Sequence, residues 1–288
     1  MKIAFLGLGI MGSRMAMNLL KNKVDLTIYN RSADPLIKLT AAGAKAASTP
    51  AQAVREADII FSMLSTPEAV QSVFLEDGQA LAAMRKGAVW VDCSTVNPSF
   101  TKAMQAAAIV REIDFIDAPV AGTKPQAANA ELVFFVGGDK TKVEEVRPYL
   151  DMMGKKVMHL GAVGQGANFK MLVNVMLAQS MIIFSETILL GEKMGLDKQF
   201  LLDTIPNLVV SAPFTKFKAE MIRQDDYEVQ FPLEWMYKDL HLATLTAYEY
   251  QQPLFLANAA KELFAKAANE GLGRLDFAAI HKVLEKAK

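Results

Sequence analysis

Cysteine and histidine are scarce in this chain, and their scarcity excludes two kinds of site. Cys93 is the only cysteine, so no disulfide can form within the chain, and a reducing compartment fits this usage. The three histidines are scattered, so a Cys/His metal site is not expected. We therefore expect no metal and a fold that depends on its apolar core.

Net charge is also absent, because 31 Lys and Arg residues balance 31 Asp and Glu residues. No overall field therefore attracts nucleic acid or an anionic membrane. The longest charge-free stretch, between Lys170 and Glu186, is shorter than the roughly 20 apolar residues of a membrane span. The N-terminal apolar run is too short for a signal peptide. We expect a cytoplasmic protein with neither a nucleic-acid nor a membrane partner.

Apolar residues are abundant, at 52% of 288 positions, so the chain can bury one large core or two ordinary ones. In the first half, short apolar runs alternate with alanine-rich helical patterns, which is typical of βαβ units and a doubly wound, mostly parallel sheet. The predicted strands are residues 3–6, 26–29, 59–63, 89–91, 115–116 and 133–136.

The pattern changes near Gly161, where a glycine-rich turn precedes a long helix predicted over Asn168–Met194. Its apolar residues occupy nearly every face, so we expect this helix to be buried all round. The remainder shows helical spacing and no strand run. We predict an α/β Rossmann domain over 1–163, an interdomain helix over 164–194 and an all-α domain over 195–288.

A glycine fingerprint directly follows the first predicted strand and opens a helix. In a dinucleotide-binding domain the first glycine allows a tight turn, the second lets the backbone approach a pyrophosphate, and the third lets helix and strand pack closely. The fingerprint consists of Gly7, Leu8, Gly9, Ile10, Met11 and Gly12.

The end of the second predicted strand indicates which coenzyme is bound. An NAD-selective site places Asp or Glu there to hold the ribose 2′-hydroxyl, whereas this chain has Asn30, Arg31 and Ser32, with no carboxylate until Asp34. A guanidinium can pair with the 2′-phosphate of NADP. The alternative is that Arg31 is a solvated loop residue. We predict NADP (NADPH) as the cofactor.

Further motifs occur in order along the whole chain, and with them the chain resembles the β-hydroxyacid dehydrogenase family, in particular its glyoxylate and succinic semialdehyde reductase branch. The resemblance rests on the extended glycine fingerprint, Met63-Leu64-Ser65, Asp92-Cys93-Ser94-Thr95, Asp117 to Thr123, Gly164-Gln165-Gly166 with Lys170 and Asn174, and Lys238-Asp239-Leu240.

The resemblance implies NADPH-dependent reduction of a small aldehyde acid, such as succinic semialdehyde or glyoxylate, by a homodimer or homotetramer. It implies that Lys170 donates the proton, assisted by Asn174. Burial of Lys170 would lower its pKa toward acid/base values. The implied cofactor contacts beyond the fingerprint and residues 30–32 are Met63, Leu64, Ser65, Thr95 and Lys238; the implied substrate contacts are Ser94, Thr95, Ala121, Gly122, Thr123, Lys170, Asn174, Phe231 and Asp239.

One position departs from the family pattern, because Ala121 stands where the substrate loop usually carries serine. One hydroxyl near the substrate carboxylate is thus missing, which leaves the substrate open.

Several of these residues also have a purely structural interpretation. Ser94 and Thr95 could cap the helix that follows them, and we expect that they do. Lys170 could extend to solvent, and Lys238-Asp239 could be a surface pair.

Alternative functions also remain. The chain could be an NAD(P)-dependent 3-hydroxyacid dehydrogenase of the 3-hydroxyisobutyrate or tartronate semialdehyde type. It could instead be a non-enzymatic nucleotide-binding module on the same fold, although such a module would be expected to lack Lys170. A 6-phosphogluconate-type enzyme would need a longer helical domain.

Overall fold

The apolar runs of the first half form one sheet, in a computed structural model that describes residues 1–286. The nine strands of this range are β1 (Lys2–Leu6), β2 (Asp25–Tyr29), β3 (Lys45–Ala46), β4 (Ile59–Ser62), β5 (Val89–Asp92), β6 (Asp114–Asp117), β7 (Val120–Ala121), β8 (Leu132–Gly137) and β9 (Gly154–Gly161).

The helices of the first half connect these strands, and the second half is helical. The helices are α1 (Gly12–Lys21), α2 (Asp34–Ala41), α3 (Pro50–Val54), α4 (Pro67–Phe74), α5 (Ala80–Ala83), α6 (Pro98–Val110), α7 (Lys124–Ala128), α8 (Lys140–Asp151), α9 (Gln165–Lys193), α10 (Lys198–Thr204), α11 (Thr215–Gln224), α12 (Leu233–Glu249), α13 (Phe255–Ala267) and α14 (Ile280–Lys286), with short 3₁₀ or π turns at Ile205–Asn207, Ala268–Leu272 and Phe277–Ala279.

The sheet has the strand order β3-β2-β1-β4-β5-β6-β8-β7, with β9 beside β8. Strands β1 to β6 pair in parallel, and the antiparallel pairs are β6 with β8 and β7 with β8. The chain order reverses at β1, which has β2 on one side and β4 on the other, and ligands of doubly wound sheets bind beyond the strand ends at this switch point. The predicted mostly parallel Rossmann sheet and helical second half are confirmed.

Both faces of the sheet are covered by apolar side chains, because successive residues of a strand point to opposite faces. In β1, Ile3 and Phe5 belong to one buried cluster, whereas Ala4 and Leu6 belong to the other. This double burial explains why the central strands are continuous apolar runs. Cys93 packs in the first cluster and is fully buried.

The chain divides into two compact units, Met1–Lys170 and Met171–Lys288. The division falls inside α9, whereas the predicted domains treat residues 164–194 as a separate linking helix. The second unit has its own core of helical residues, centred on large buried side chains such as Phe264, Phe277 and Met236.

Helix α9 differs from its prediction in its burial. Ala178, Met181 and Ile188 are buried, but none of the described residues 1–286 covers the opposite side of the helix. The exposed side carries large apolar residues at Leu172, Met176, Ile183 and Leu190. The expectation that α9 is buried all round is therefore wrong for the single chain, because an apolar sequence does not specify which surface covers it.

By length and composition alone α9 could cross a membrane, a test that long core helices also pass.

Candidate active site

Five loops of the first unit leave the sheet from one edge. Hydrogen bonds between neighbouring strand ends define this edge: Gly7 N–H donates to Tyr29 O, Met63 N–H to Leu6 O, and Cys93 N–H to Ser62 O. Further along, Ala118 N–H donates to Asp92 O at 2.7 Å. The predicted segments after β1, β2, β4, β5 and β6 are thereby brought to the same edge of the sheet.

The three glycines of the fingerprint occupy three different environments. Gly7 has a φ of +94°, and a Cβ on it would lie 2.4 Å from Met63 O. A Cβ on Gly12 would lie 2.0 Å from Gly7 O, so the start of α1 can approach the loop only without a side chain. A Cβ on Gly9 would meet nothing within 4 Å. The open space is therefore at the second glycine, where a dinucleotide site needs room for the pyrophosphate.

Asn30 connects the glycine loop to the end of β2. Its Oδ1 accepts the Leu8 N–H at 2.9 Å, and its Nδ2 donates to the carbonyl and the hydroxyl of Ser32 at 3.0 and 2.9 Å. Asn30 thus links the glycine loop to the loop after β2. The adjacent Arg31 is exposed and forms no ion pair with any residue from 1 to 286.

The loop after β4 is tied to the turn after β5. The Ser94 hydroxyl accepts the Leu64 N–H at 2.9 Å, while Asp92 Oδ1 accepts both the Ser62 hydroxyl at 2.8 Å and the Ser94 N–H at 3.1 Å. Ser94 is buried, and its oxygen supports the Met63–Ser65 loop, whereas Thr95 is half-buried.

The expectation that Ser94 and Thr95 cap the following helix is wrong. Helix α6 begins at Pro98, and Asn97 is its N-cap residue. Proline is favoured at the first position of a helix, where the N–H it lacks would have no partner. The helix start at Pro98 therefore lies three residues beyond Thr95. The N-cap position thus belongs to Asn97, and the Ser94 hydroxyl accepts the Leu64 N–H.

The predicted substrate loop is built around a positive φ and a helix cap. Ala121 ends β7, and Gly122 has a φ of +122°, with Leu132 and Gln126 packed where a Cβ would stand. Thr123 forms a capping box with Gln126 at the start of α7. Thr123 therefore has a structural role of its own, and the loop's shape is fixed independently of any substrate.

Lys170 lies in α9 and is buried, with 9% of its surface exposed. The start of its helix is held by Asp117 at the end of β6. Asp117 Oδ1 accepts the Gly164 N–H at 2.7 Å, and Oδ2 accepts the Ala167 N–H at 2.8 Å. Burial raises the pKa of Asp117 to about 6, although both N–H bonds favour the carboxylate and act in the opposite direction.

In the second unit, three predicted site residues lie together. Asn174 Nδ2 donates to Asp239 Oδ2 at 2.6 Å, and Lys238 Nζ lies 2.9 Å from Asp239 Oδ1. Asn174 and Asp239 are almost fully buried, so the alternative that Lys238 and Asp239 form a surface ion pair is wrong. The Asn174 Oδ1 is buried and has no hydrogen-bond partner within residues 1–286, which leaves an acceptor for a ligand or a lysine.

Phe231 packs on Phe277, with ring centroids 5.7 Å apart, and its N–H donates to Asp276. Asp276 also pairs with the buried Lys218 Nζ at 2.7 Å. The Phe231 backbone is thus fixed by the core of the second unit, whereas its predicted contact with the substrate stays a prediction.

Sequence reasoning missed Asp117, Asn30 as a loop anchor, and the Lys218–Asp276 pair. The sequence shows Asp117 only as part of a motif, because its hydrogen-bond partners are 47 and 50 residues away in sequence. The local signal for the buried pair is the position of Lys218, which lies on the same side of α11 as the buried Ala219 and Ile222.

The histidines take no part in these arrangements. His159 Nε2 lies against the carbonyls of Gly138 and Gly161, and His241 is exposed. Burial lowers the pKa of His281 to about 4. Residues 1–286 contain no group of three or more His, Cys, Asp or Glu side chains that could hold a metal ion.

Each half of the chain matches the model of a known nucleotide-binding domain family. Residues 2–161 match the model of the NAD-binding domain of 6-phosphogluconate dehydrogenase, and residues 164–284 match the NAD-binding domain of NADP-dependent 3-hydroxyisobutyrate dehydrogenase.

Individual relatives match nearly the whole chain. The chloroplastic glyoxylate/succinic semialdehyde reductase 2 of Arabidopsis thaliana is 37% identical over 99% of this chain and 80% of its own length. Reductase 1 of the same plant is 36% identical over 97% of both chains. The 3-hydroxyisobutyrate dehydrogenase of Mycobacterium tuberculosis, solved with L-serine, is 31% identical, covers 98% of both chains and has a TM-score of 0.89.

Proposed function

The chain belongs to the β-hydroxyacid dehydrogenase family, and within it we propose that this oxidoreductase uses NADPH to reduce a short aldehyde acid, with Lys170 as the proton donor. Succinic semialdehyde and glyoxylate are the proposed substrates. The similarity to two glyoxylate/succinic semialdehyde reductases supports this choice over other members of the family.

The observation that carries the coenzyme proposal is the end of β2. Arg31 is exposed and forms no ion pair with the described residues 1–286, and it directly follows an Asn30 whose side chain is already engaged with Leu8 and Ser32. An NAD-selective carboxylate is missing, and a guanidinium is available for the 2′-phosphate. The open space at Gly9, between two glycines that tolerate no side chain, fits a bound pyrophosphate.

The proposed reaction needs a hydride for the carbonyl carbon and a proton for its oxygen. When bound, the nicotinamide supplies the hydride. Lys170 Nζ gives its proton to the oxygen as negative charge develops there, which leaves the lysine neutral and the product an alcohol. Its burial limits the access of water. The Gly122 N–H group is a candidate to hold the substrate carboxylate, since the Thr123 N–H already donates to Gln126.

A second candidate is oxidation of a 3-hydroxyacid by an NAD(P)-dependent dehydrogenase of the same family. One observation favours it: residues 164–284 match the model of the NAD-binding domain of NADP-dependent 3-hydroxyisobutyrate dehydrogenase. The residues proposed here would serve that reaction in reverse, with Lys170 accepting the proton.

The test is a matrix of substrates and coenzymes assayed with the full chain. Reduction of succinic semialdehyde and glyoxylate is measured with NADPH and NADH, and oxidation of 3-hydroxyisobutyrate and L-serine with NADP⁺ and NAD⁺. We expect the highest kcat/KM for an aldehyde acid with NADPH. A higher kcat/KM for a 3-hydroxyacid would favour the second candidate, and nucleotide binding without turnover would favour a non-enzymatic module.

We also propose that the chain forms a homo-oligomer through the exposed stripe of α9, defined as Leu172, Met176, Ile183 and Leu190. These residues recur at intervals of four and seven, so they lie on one face of the helix over about 27 Å. Large exposed apolar side chains that share one helix face are typical of an association surface. Light scattering should show a dimer or tetramer for the native chain and a monomer for Met176→Lys, whereas Val110→Lys, at an exposed position of the first unit, should not change the mass.

A further inference from the structure

The carboxylate of Asp117 is almost surrounded by backbone. Besides its two N–H partners at the start of α9, it lies against two glycines whose missing side chains make room for it. A Cβ on Gly137 would stand 2.5 Å from Oδ1, and a Cβ on Gly166 would stand 2.8 Å from Oδ2. Strand β6, strand β8 and helix α9 therefore meet at this one carboxylate.

The bonds to Asp117 satisfy donors that a helix cannot satisfy by itself. The first N–H groups of α9 have no carbonyl partner within the helix, and they carry the positive end of its dipole. A carboxylate that accepts the Gly164 and Ala167 N–H groups acts as a remote N-cap, 47 and 50 residues away in sequence. It fixes the start of α9 to the end of β6.

Lys170 is three residues after Ala167, or about 4.5 Å along the helix axis. Lys170 therefore lies within one helical turn of the anchored Ala167, so a shift of the helix start should displace it. Asp117 also lies four residues before Ala121, so the same residue is close in sequence to the predicted substrate loop and bonded to the helix of the predicted proton donor.

We propose that Asp117 is a positioning residue, which holds the helix of Lys170 in register with the loop that follows β6. This inference rests on the proposed role of Lys170. It is supported by the geometry of the arrangement, because two backbone N–H groups and two glycines enclose this carboxylate although burial and the like charge of Asp92 both raise its pKa.

The principal variant is Asp117→Asn, which is nearly isosteric but presents an amide N–H to one of the two backbone donors. Misplacement of a reacting group by about 1 Å can cost about 100-fold in rate, so we expect kcat to fall by about 10- to 100-fold. The Kd for NADPH should change less than about threefold, because the glycine loop and Asn30 follow β1 and β2 and take no part in the hydrogen bonds of Asp117 to Gly164 and Ala167. Hydrogen exchange of residues 162–170 should become faster.

Asp114→Asn is the matched control. It makes the same substitution at the other end of β6, where the carboxylate is half exposed and pairs with Lys142 at 3.0 Å. We expect its kcat and its exchange over 162–170 to equal those of the native chain. Should Asp117→Asn fail to fold, Ala167→Pro removes one donor while the carboxylate stays, and proline is compatible with the first turn of a helix; kcat should again fall with little change in NADPH binding.

The outcomes separate this inference from the proposed function. A native chain that reduces no aldehyde acid refutes the function and with it the positioning of Lys170. An active native chain whose Asp117→Asn variant keeps kcat within twofold, or shows unchanged exchange over 162–170, refutes the inference alone. Equal losses of kcat and NADPH binding would also refute it, because they would indicate a general structural defect.

Discussion

Arg31 gives the sharpest test of the coenzyme proposal, because its replacement disturbs little else. It is exposed, forms no ion pair with residues 1–286, and follows an Asn30 whose side chain is held by Leu8 and Ser32. Arg31→Ala should therefore leave the fold and the glycine loop intact. Any loss can then be assigned to the contact between the guanidinium and the coenzyme.

The expected magnitude follows from this exposure. A hydrogen bond to a charged group contributes about 1.5–3 kcal/mol, and solvent screening at an exposed site reduces the value toward about 1–2 kcal/mol. Since about 1.4 kcal/mol corresponds to a factor of ten, the KM for NADPH should rise about 5- to 30-fold. The KM for NADH should change less than about twofold, because NADH has no phosphate for the arginine to bind.

The assay is steady-state reduction of succinic semialdehyde with each coenzyme at two ionic strengths. Arg31→Lys is the control that keeps the charge but loses the planar fork, and it should give an intermediate KM for NADPH. Adding Asn30→Asp to Arg31→Ala should move the preference toward NADH. The new carboxylate can accept the 2′-hydroxyl and keep the Leu8 bond, although it loses both donors to Ser32.

Equal changes in KM for both coenzymes would refute this reasoning, since they would mean that Arg31 only supports the loop. A salt-independent KM for NADPH in the native chain would contradict it as well, because a phosphate contact at an exposed site is weakened by screening.

Three further predictions test the proton donor, the second core and the substrate loop. Lys170→Ala should lower kcat about 100- to 10,000-fold with the Kd for NADPH unchanged, and retention of a third of the activity would contradict the assigned role. Asp276→Ala should lower the free energy of unfolding in urea by about 3–5 kcal/mol, because it leaves the ammonium of Lys218 buried without its partner, and a loss below about 1 kcal/mol would argue against a buried pair. Ala121→Ser should raise kcat/KM for glyoxylate more than for succinic semialdehyde, which we expect the native chain to prefer; equal gains would show that the hydroxyl does not select by substrate length.

The central strands that the sequence predicts have buried side chains on both faces of the sheet, whereas the missed strand β9 does not. The central strands β1, β4 and β5 are continuous apolar runs because both of their faces are covered, and the sequence shows this directly. Strand β9 contains Lys155, Lys156 and His159 and is largely exposed or half-buried, so its composition resembles that of a loop. Its strand conformation comes from its parallel pairing with β8, which is not a local property of the sequence.

At the candidate site, too, sequence predicts the features that depend on neighbouring residues and misses those that depend on strand pairing. The glycine loop and the Asn30-Arg31 dipeptide could be found because a turn and a coenzyme preference depend on neighbouring residues. That Asn30 ties Leu8 to Ser32 could not be found, since this requires the pairing of β1 with β2.

The start of α9 shows how a distant partner changes the meaning of a local signal. Gly164 and Gly166 predict a turn and a helix that starts at Asn168, yet the helix begins at Gln165 and includes Gly166. This position in the first helical turn requires glycine, because the Asp117 carboxylate and Phe135 O occupy the space that a Cβ on Gly166 would need. The same glycine that breaks the local helical pattern thus permits the contact that starts the helix. If the carboxylate is what allows α9 to begin three residues earlier, its removal should loosen this first turn and shift Lys170, the residue on which the proposed reaction depends.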